Sequence, residues 1–292
     1  MHGPGGRSSQ LIESETRRRV HEIVRSRMTY DVSTLVEHFV EDVELNYSCS
    51  RLGVLPPGQW RGRDALRAHL RRVDIDYEPL DAEILAVLVE GDNTVVRWIS
   101  SWRHRATGHI HRMDMAHFLR WRNGLVSEMH EFRDQRCVAR GADFVLQSLD
   151  DILNPRSPGL ARDEMARRLI AMGSFSRSPD IALIRKLCSP DVVCEFVGDR
   201  TTVSHAGRHR GIEALINIVR SIEVEFEQLG FAMPEVIVDG GTAAARRIVE
   251  WRHRGTGRRG QVQLADFVRF EDGRIVEIVE FRDSMALLQM QA

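Results

Sequence analysis

The sequence predicts two tandem α+β domains of one kind, and three observations carry that reading. The string SWRHRATG (101–108) returns as EWRHRGTG (250–257), 149 positions on when Trp251 is set against Trp102. At the same offset Asp42–Asp134 aligns with Asp191–Asp283 without a gap, and about a third of the positions are identical. A period that long marks a copied domain rather than a solenoid repeat. Within each copy, stretches of helical period come before stretches of strand period.

The elements follow in order. Residues 11–28 space Leu11, Ile12, Val20, Ile23, Val24 and Met28 among charges, as a first helix would. Asp31 caps a second helix, VSTLVEHFV (32–40), and Asp180 does the same for IALIRKLC (181–188). ELNYS (44–48) is a short strand. The loop VLPPGQWRGR (54–63) leads into the helix DALRAHLRRV (64–73), with Asp64 in its first turn. From Asp81 onward four stretches alternate as strands: 83–91, 93–105, 109–121 and 125–134. Asn123-Gly124 and Asp272-Gly273 are two-residue hairpin turns, and Ala-Thr-Gly (106–108) and Gly-Thr-Gly (255–257) are expected to close the preceding hairpins similarly. A short helix is expected over 139–153, followed by the linker NPRSPG (154–159). The domains are thus placed at 11–138 and 160–292, with 139–159 between them.

Composition narrows the function. The chain of 292 residues is 42% hydrophobic and 28% charged with net charge -1, so no bulk field draws it to nucleic acid or an anionic membrane. Cys49, Cys137, Cys188 and Cys194 show no zinc-ligand spacing, and reduced thiols in the cytoplasm are the simplest reading. MHGPGGRSSQ has no apolar core for a secretion signal, and no apolar run reaches membrane-spanning length.

Two motifs recur at matched places: W-R-G-R-D-A-L (60–66) against H-R-G-I-E-A-L (209–215), and F-L-R-W-R-N-G-L-V (118–126) against F-V-R-F-E-D-G-R-I (267–275). With the helix and strand order, they resemble the nuclear transport factor 2-like superfamily, in its SnoaL-like, ketosteroid isomerase-related branch. The resemblance covers roughly 15–134 and 164–283. It implies a cone-shaped domain, a curved antiparallel sheet wrapped on about three helices, and a pseudo-dimer whose sheets pair. It also implies a cavity of small-molecule size on a scaffold that hosts isomerases, cyclases, dehydratases, epoxide hydrolases and non-catalytic proteins. Family acids are mostly missing. The isomerase aspartate of the first strand falls on Tyr47 and Phe196, the helix-one tyrosine near Ile23 and Met172, and the second aspartate on Ala116 and Ala265. The epoxide-hydrolase Arg-x-Asp falls on Ile99/Ser101 and Ile248/Glu250, while its last-strand acid is matched by Glu131 and Glu280.

Strand alternation places Glu131 with Ser127, Met129 and Arg133, and Phe132 on the other face with Val126, Glu128 and His130. If Glu131 and Glu280 face apolar walls, desolvation raises their pKa toward neutrality and suits them to acid/base work. Asp114 in the first copy and Glu250 in the second are expected to complete carboxylate pairs, and Tyr47, Trp60, Met129, Phe118, Phe196 and Phe267 to bind ligand. The bland alternative makes both glutamates cross-strand salt-bridge partners at a sheet rim. Trp98, Trp102 and Trp251 share one strand parity and suit the contact between sheets, and His117, replaced by Asp266, reads as interface. His109-x-His111 has no third ligand, so no metal is expected. Six arginines against one aspartate in 97–122, and six against one glutamate in 246–259, form a basic stripe that favours a weakly anionic ligand.

Two functions therefore stand. One is a cofactor-free acid/base enzyme acting on a small hydrophobic or weakly anionic molecule; the other is a non-catalytic ligand-binding or assembly module. No nucleic acid, no membrane and no cofactor are expected, a further homo-oligomer is left open, and a single working site would fall in the first copy, which keeps more titratable residues.

Overall fold

A computed structural model describes residues 4–48, 58–133, 160–173, 175, 180–198, 200 and 202–292. They form two compact units, one up to Arg133 and one from Leu160. The expected helix at 139–153, the linker at 154–159, Cys49 and Cys137 lie outside the described residues.

Unit 1 runs α1 (Pro4–Met28), α2 (Val32–Glu37), β1 (Phe39–Ser48), β2 (Gly58–Arg61), α3 (Arg63–Asp76), β3 (Tyr77–Glu90), β4 (Asn93–His104), β5 (Ile110–Arg122) and β6 (Leu125–Arg133). Unit 2 repeats this as α4 (Arg162–Gly173), α5 (Ile181–Leu187), β7 (Cys188–Val197), β8 (Gly207–Arg210), α6 (Ile212–Glu225), β9 (Phe226–Asp239), β10 (Thr242–His253), β11 (Arg259–Glu271) and β12 (Arg274–Arg282), and adds α7 (Ser284–Gln291). Each sheet has six strands, in the orders β2-β1-β6-β5-β4-β3 and β8-β7-β12-β11-β10-β9. The sheets are mixed rather than wholly antiparallel, because the last strand of each unit returns beside the first in the same direction.

The second helix is shorter than its apolar period suggests. His38 closes α2 through its backbone N–H, and its carbonyl accepts from Val126 N at 2.9 Å, which draws Phe39 and Val40 into β1. Val126 sits opposite Phe39 in the sheet, so pairing overrides the helical spacing. The expected caps are present: Asp31 accepts from Thr34 N and Asp180 from Leu183 N, both at 2.9 Å. Gly62 and Gly211, at φ 90° and 93°, turn the chain from a short strand into α3 and α6, a conformation that costs an L side chain energy. Asn123-Gly124 and Asp272-Gly273 take positive φ throughout, as two-residue hairpin turns do. The preceding hairpins have longer loops than expected, closed by His104 N to His109 O and by His253 N to Arg258 O.

Helices cover one face of each sheet. Leu66, His69, Leu70 and Val73 of α3, and Leu215, Ile218, Val219 and Ile222 of α6, stand at i, i+3, i+4 and i+7 and turn inward together. Cys188 and Cys194 are free, buried thiols whose pKa values burial pushes up, that of Cys188 to about 12. Among the described residues no helix is long and apolar enough to cross a membrane.

Asp283 caps α7 by accepting from Met285 N at 3.0 Å and Ala286 N at 3.1 Å. Asp283→Ala is expected to cost about 1 kcal/mol of unit 2 stability, read from the shift of its urea-unfolding midpoint.

Candidate functional site

The helices of unit 1 do not fill the space over their sheet. A cavity of about 80 Å³ remains, with walls from α1, α2, α3 and strands β1, β4, β5 and β6. An apolar cavity of about 150 Å³ accepts benzene, so a larger ligand here needs side chains to move. Met113, Met115 and Met129 stand in the wall and are the adaptable kind.

Register sets which polar groups reach this space. Tyr47 on β1 lies opposite Glu131 on β6, and Glu131 opposite His117 on β5, a row of three side chains on the concave face. In the next row Arg133 lies opposite Met115, and Met115 opposite Trp98. His69 reaches in from α3, its ring 4.8 Å from that of Tyr47, and the Trp98 and His117 rings meet edge-on at 5.6 Å.

Glu131 is 7% exposed and faces Arg133 Nε and His117 Nε2, each at 3.2 Å. Burial alone pushes its pKa up, but Arg133 and then His117 outweigh burial and hold it down at about 2. The expected rise toward neutrality is therefore overturned: this carboxylate is ionised, with a cation beside it. In the same wall the Tyr47 hydroxyl, His69 Nδ1, Trp98 Nε1 and Arg133 Nη2 have no hydrogen-bond partner in the protein, and His117 Nε2 and Arg133 Nε meet Glu131 as ion-pair contacts without hydrogen-bond geometry. Burial lowers the His69 pKa to about 4 and raises that of Tyr47, so both are neutral near pH 7. Arg27 also borders the cavity, paired with Asp74 at 2.8 Å and lying 4.4 Å over the Trp102 ring.

Several expected site residues lie elsewhere. Asp114 is buried on the opposite face, tied to Arg97 at 2.6 Å, and pairs with no carboxylate. Phe118 shares that face and meets Phe132 at 6.0 Å, and Phe267 meets Phe281 at 6.2 Å in the same way. Glu250 is exposed. Trp60 packs against the unit 1 core outside the cavity wall, whereas Tyr47 and Met129 stand in it. Trp98, Trp102 and Trp251 line cavities rather than an outer sheet face, and His117 is a cavity residue. Much of the basic stripe is paired: Arg103 with Glu78, Arg120 with Glu128, Arg122 with Asp42 and Arg252 with Glu227. His104 and His111 pack against the Tyr77 ring.

Sequence reasoning missed His117, Trp98, His69 and Arg133. A bulge between Arg120 and Trp121 shifts the β5–β6 register by one residue. Counting back from the Asn123-Gly124 turn without it would set His117 against His130 instead of Glu131.

Unit 2 keeps the geometry and changes the chemistry. Its cavity, about 50 Å³, is bordered by Phe196, Trp251, Arg247, Glu280 and Arg282. Phe196 stands opposite Glu280, as expected of a cavity residue, and Asp266 opposite Glu280 where His117 stands in unit 1.

The arrangement is that of a SnoaL-like domain, twice over. Residues 19–129 and 167–278 each match the SnoaL-like domain family, and the chain belongs to it. Similar solved structures include an NTF2-like protein from Burkholderia xenovorans LB400 (18% identity, TM-score 0.39, covering 46% of this chain and 100% of that one). TsrD from Streptomyces laurentii is 22% identical with TM-score 0.38, covering 45% of this chain and 96% of its own. An LEH-like epoxide hydrolase from M. tuberculosis is 17% identical with TM-score 0.36, over 44% and 88%. No curated protein matches the chain.

The titration of His69 gives a testable sign. Its folded pKa, about 4, lies below the ordinary 6.5, so between these values the unfolded chain binds more protons. Its contribution to unit 1 stability is complete above about pH 6.5 and is lost as pH falls toward 4. Denaturant midpoints at pH 7 and pH 5 should therefore drop less in His69→Gln than in the parent chain.

Proposed function

We propose that unit 1 binds a small, mainly apolar molecule carrying an acceptor oxygen, and that the His117–Glu131 pair moves a proton on it without a cofactor. The observation that carries this reading is the set of buried, unpartnered polar groups of Tyr47, His69, Trp98 and Arg133 around one cavity, those of Tyr47, Trp98 and Arg133 being donors. Buried donors without acceptors are costly, and a bound oxygen relieves several at once. Met113, Met115 and Met129 supply an apolar wall for the rest of the molecule. The cavity's fixed charges already balance, Arg133 against Glu131 and Arg27 against Asp74, which favours a neutral ligand over a carboxylate.

In this scheme Glu131 is not the acid. Ionised and 3.2 Å from His117 Nε2, it faces the imidazole and fixes its orientation in this scheme. His117 then takes a proton from, or gives one to, a carbon or oxygen of the ligand. Tyr47 and Trp98 donate to the oxygen on which charge develops.

The second reading, a binding module without chemistry, is supported by the tie between Glu131 and Arg133, which would hold the wall together with no substrate at all. The two part on a direct measurement. Ketones, lactones and epoxides are screened by thermal shift, and any ketone that binds is followed by NMR for hydrogen–deuterium exchange at its α-carbon. Under the first reading the parent chain speeds exchange, and His117→Gln slows it by about 100-fold or more while binding is kept. Binding with no exchange above background supports the module.

A further inference from the structure

The two units place side chains of different kind at two matched positions, at and behind the cavity wall. Where unit 1 has Trp98 and His117, unit 2 has Arg247 and Asp266, each 149 residues on. Arg247 leans from β10 across the sheet toward β11 and β12. Its Nη2 donates to Asp266 Oδ1 at 2.9 Å and to Glu280 Oε2 at 2.8 Å, and its Nε donates to Asp266 as well. Arg282 donates from Nε to Glu280 Oε1 at 2.8 Å and also through Nη2. Two cations meet two anions, all four at most 7% exposed.

Where Trp98 Nε1 and Arg133 Nη2 of unit 1 lack partners, Arg247 and Arg282 at the same positions of unit 2 are paired with carboxylates. The glutamate and the last-strand arginine are common to both cavities; Phe196 and Ile218 stand where unit 1 has the Tyr47 and His69 groups, and the difference in charge lies in the exchanged pair. Arginine in place of tryptophan brings a charge to the cavity, and aspartate in place of histidine brings the charge that neutralises it. Either change alone would bury an ion without its counter-ion, which is strongly unfavourable. Together they neutralise the charges of the cavity wall from within, while Trp251 Nε1 in that wall has no hydrogen-bond partner.

We infer that Arg247 is the resident occupant of the unit 2 cavity, that the Trp98/Arg247 and His117/Asp266 exchanges decide which unit accepts a ligand, and that the chain therefore has one ligand site. The ligand part of this inference rests on the binding proposed for unit 1; the internal occupancy does not.

Two measurements on the full chain separate them. The first is a double-mutant cycle in thermal unfolding. Arg247→Trp alone should lower the unit 2 transition sharply, because Asp266 and Glu280 then share only Arg282. Adding Asp266→His should recover most of that loss. Losses that simply add would overturn the inference, whatever unit 1 does. The second uses 4-fluoroacetophenone as the probe and fluorine NMR as the readout. The parent chain should hold one saturable bound probe, removed by Trp98→Arg, and the Arg247→Trp/Asp266→His variant should hold a second. Two bound probes in the parent chain, or one that survives Trp98→Arg, would overturn the single-site inference. No saturable binding to the parent chain would sink the unit 1 reading and with it the ligand part, leaving the cycle to decide the occupancy.

Discussion

The parallel pairing of the first and last strands governs each unit. It sets Tyr47 beside Glu131 and Phe196 beside Glu280, and with the β5–β6 and β11–β12 pairings it fixes a row of side chains across three strands. Side chains alternate strictly between faces, so a slip of one residue would send the whole row to the opposite side. The bulges between Arg120 and Trp121, and between Arg269 and Phe270, are such slips, retained in both units. They bring His117 and Asp266, rather than their neighbours, opposite the glutamates.

Given that row, the electrostatics of each cavity follow from its members. In unit 1 a single carboxylate is outnumbered by donors and stays ionised beside Arg133. In unit 2 burial raises the pKa of Asp266 while Arg247 opposes that rise, and Arg247 itself is held firmly protonated, most strongly by Asp266. One backbone thus supports a wall with several unpartnered polar groups and a wall whose two arginines find their carboxylates within it. The deciding positions lie on the central strands, where pairing on both sides limits how far a side chain can swing.

Much of the architecture was legible from the repeat, because copied segments reveal their boundaries and their shared turns. Asp31 and Asp180 announced their helix starts, and Asn123-Gly124 its hairpin. Glu131 was placed on the concave face by its alternation and by the family resemblance. The other site residues were less accessible. Alternation sorts residues into two sets but does not say which set faces the helices, so Asp114, Phe118 and Phe267 were drawn to the wrong side. An unpaired bulge leaves no compositional mark, which hid the meeting of His117 with Glu131. His69 could be read as one apolar-face position of α3, yet nothing in its spacing said that Tyr47 would lie beside it.

The divergence at residues 98 and 247 has a consequence for how such a protein can evolve. Identical subunits of a symmetric dimer share one gene, so any substitution is made in every copy and neither can specialise. Joining two copies in one polypeptide removes that bond. The two halves are then free to differ, one holding arginine with aspartate and the other tryptophan with histidine.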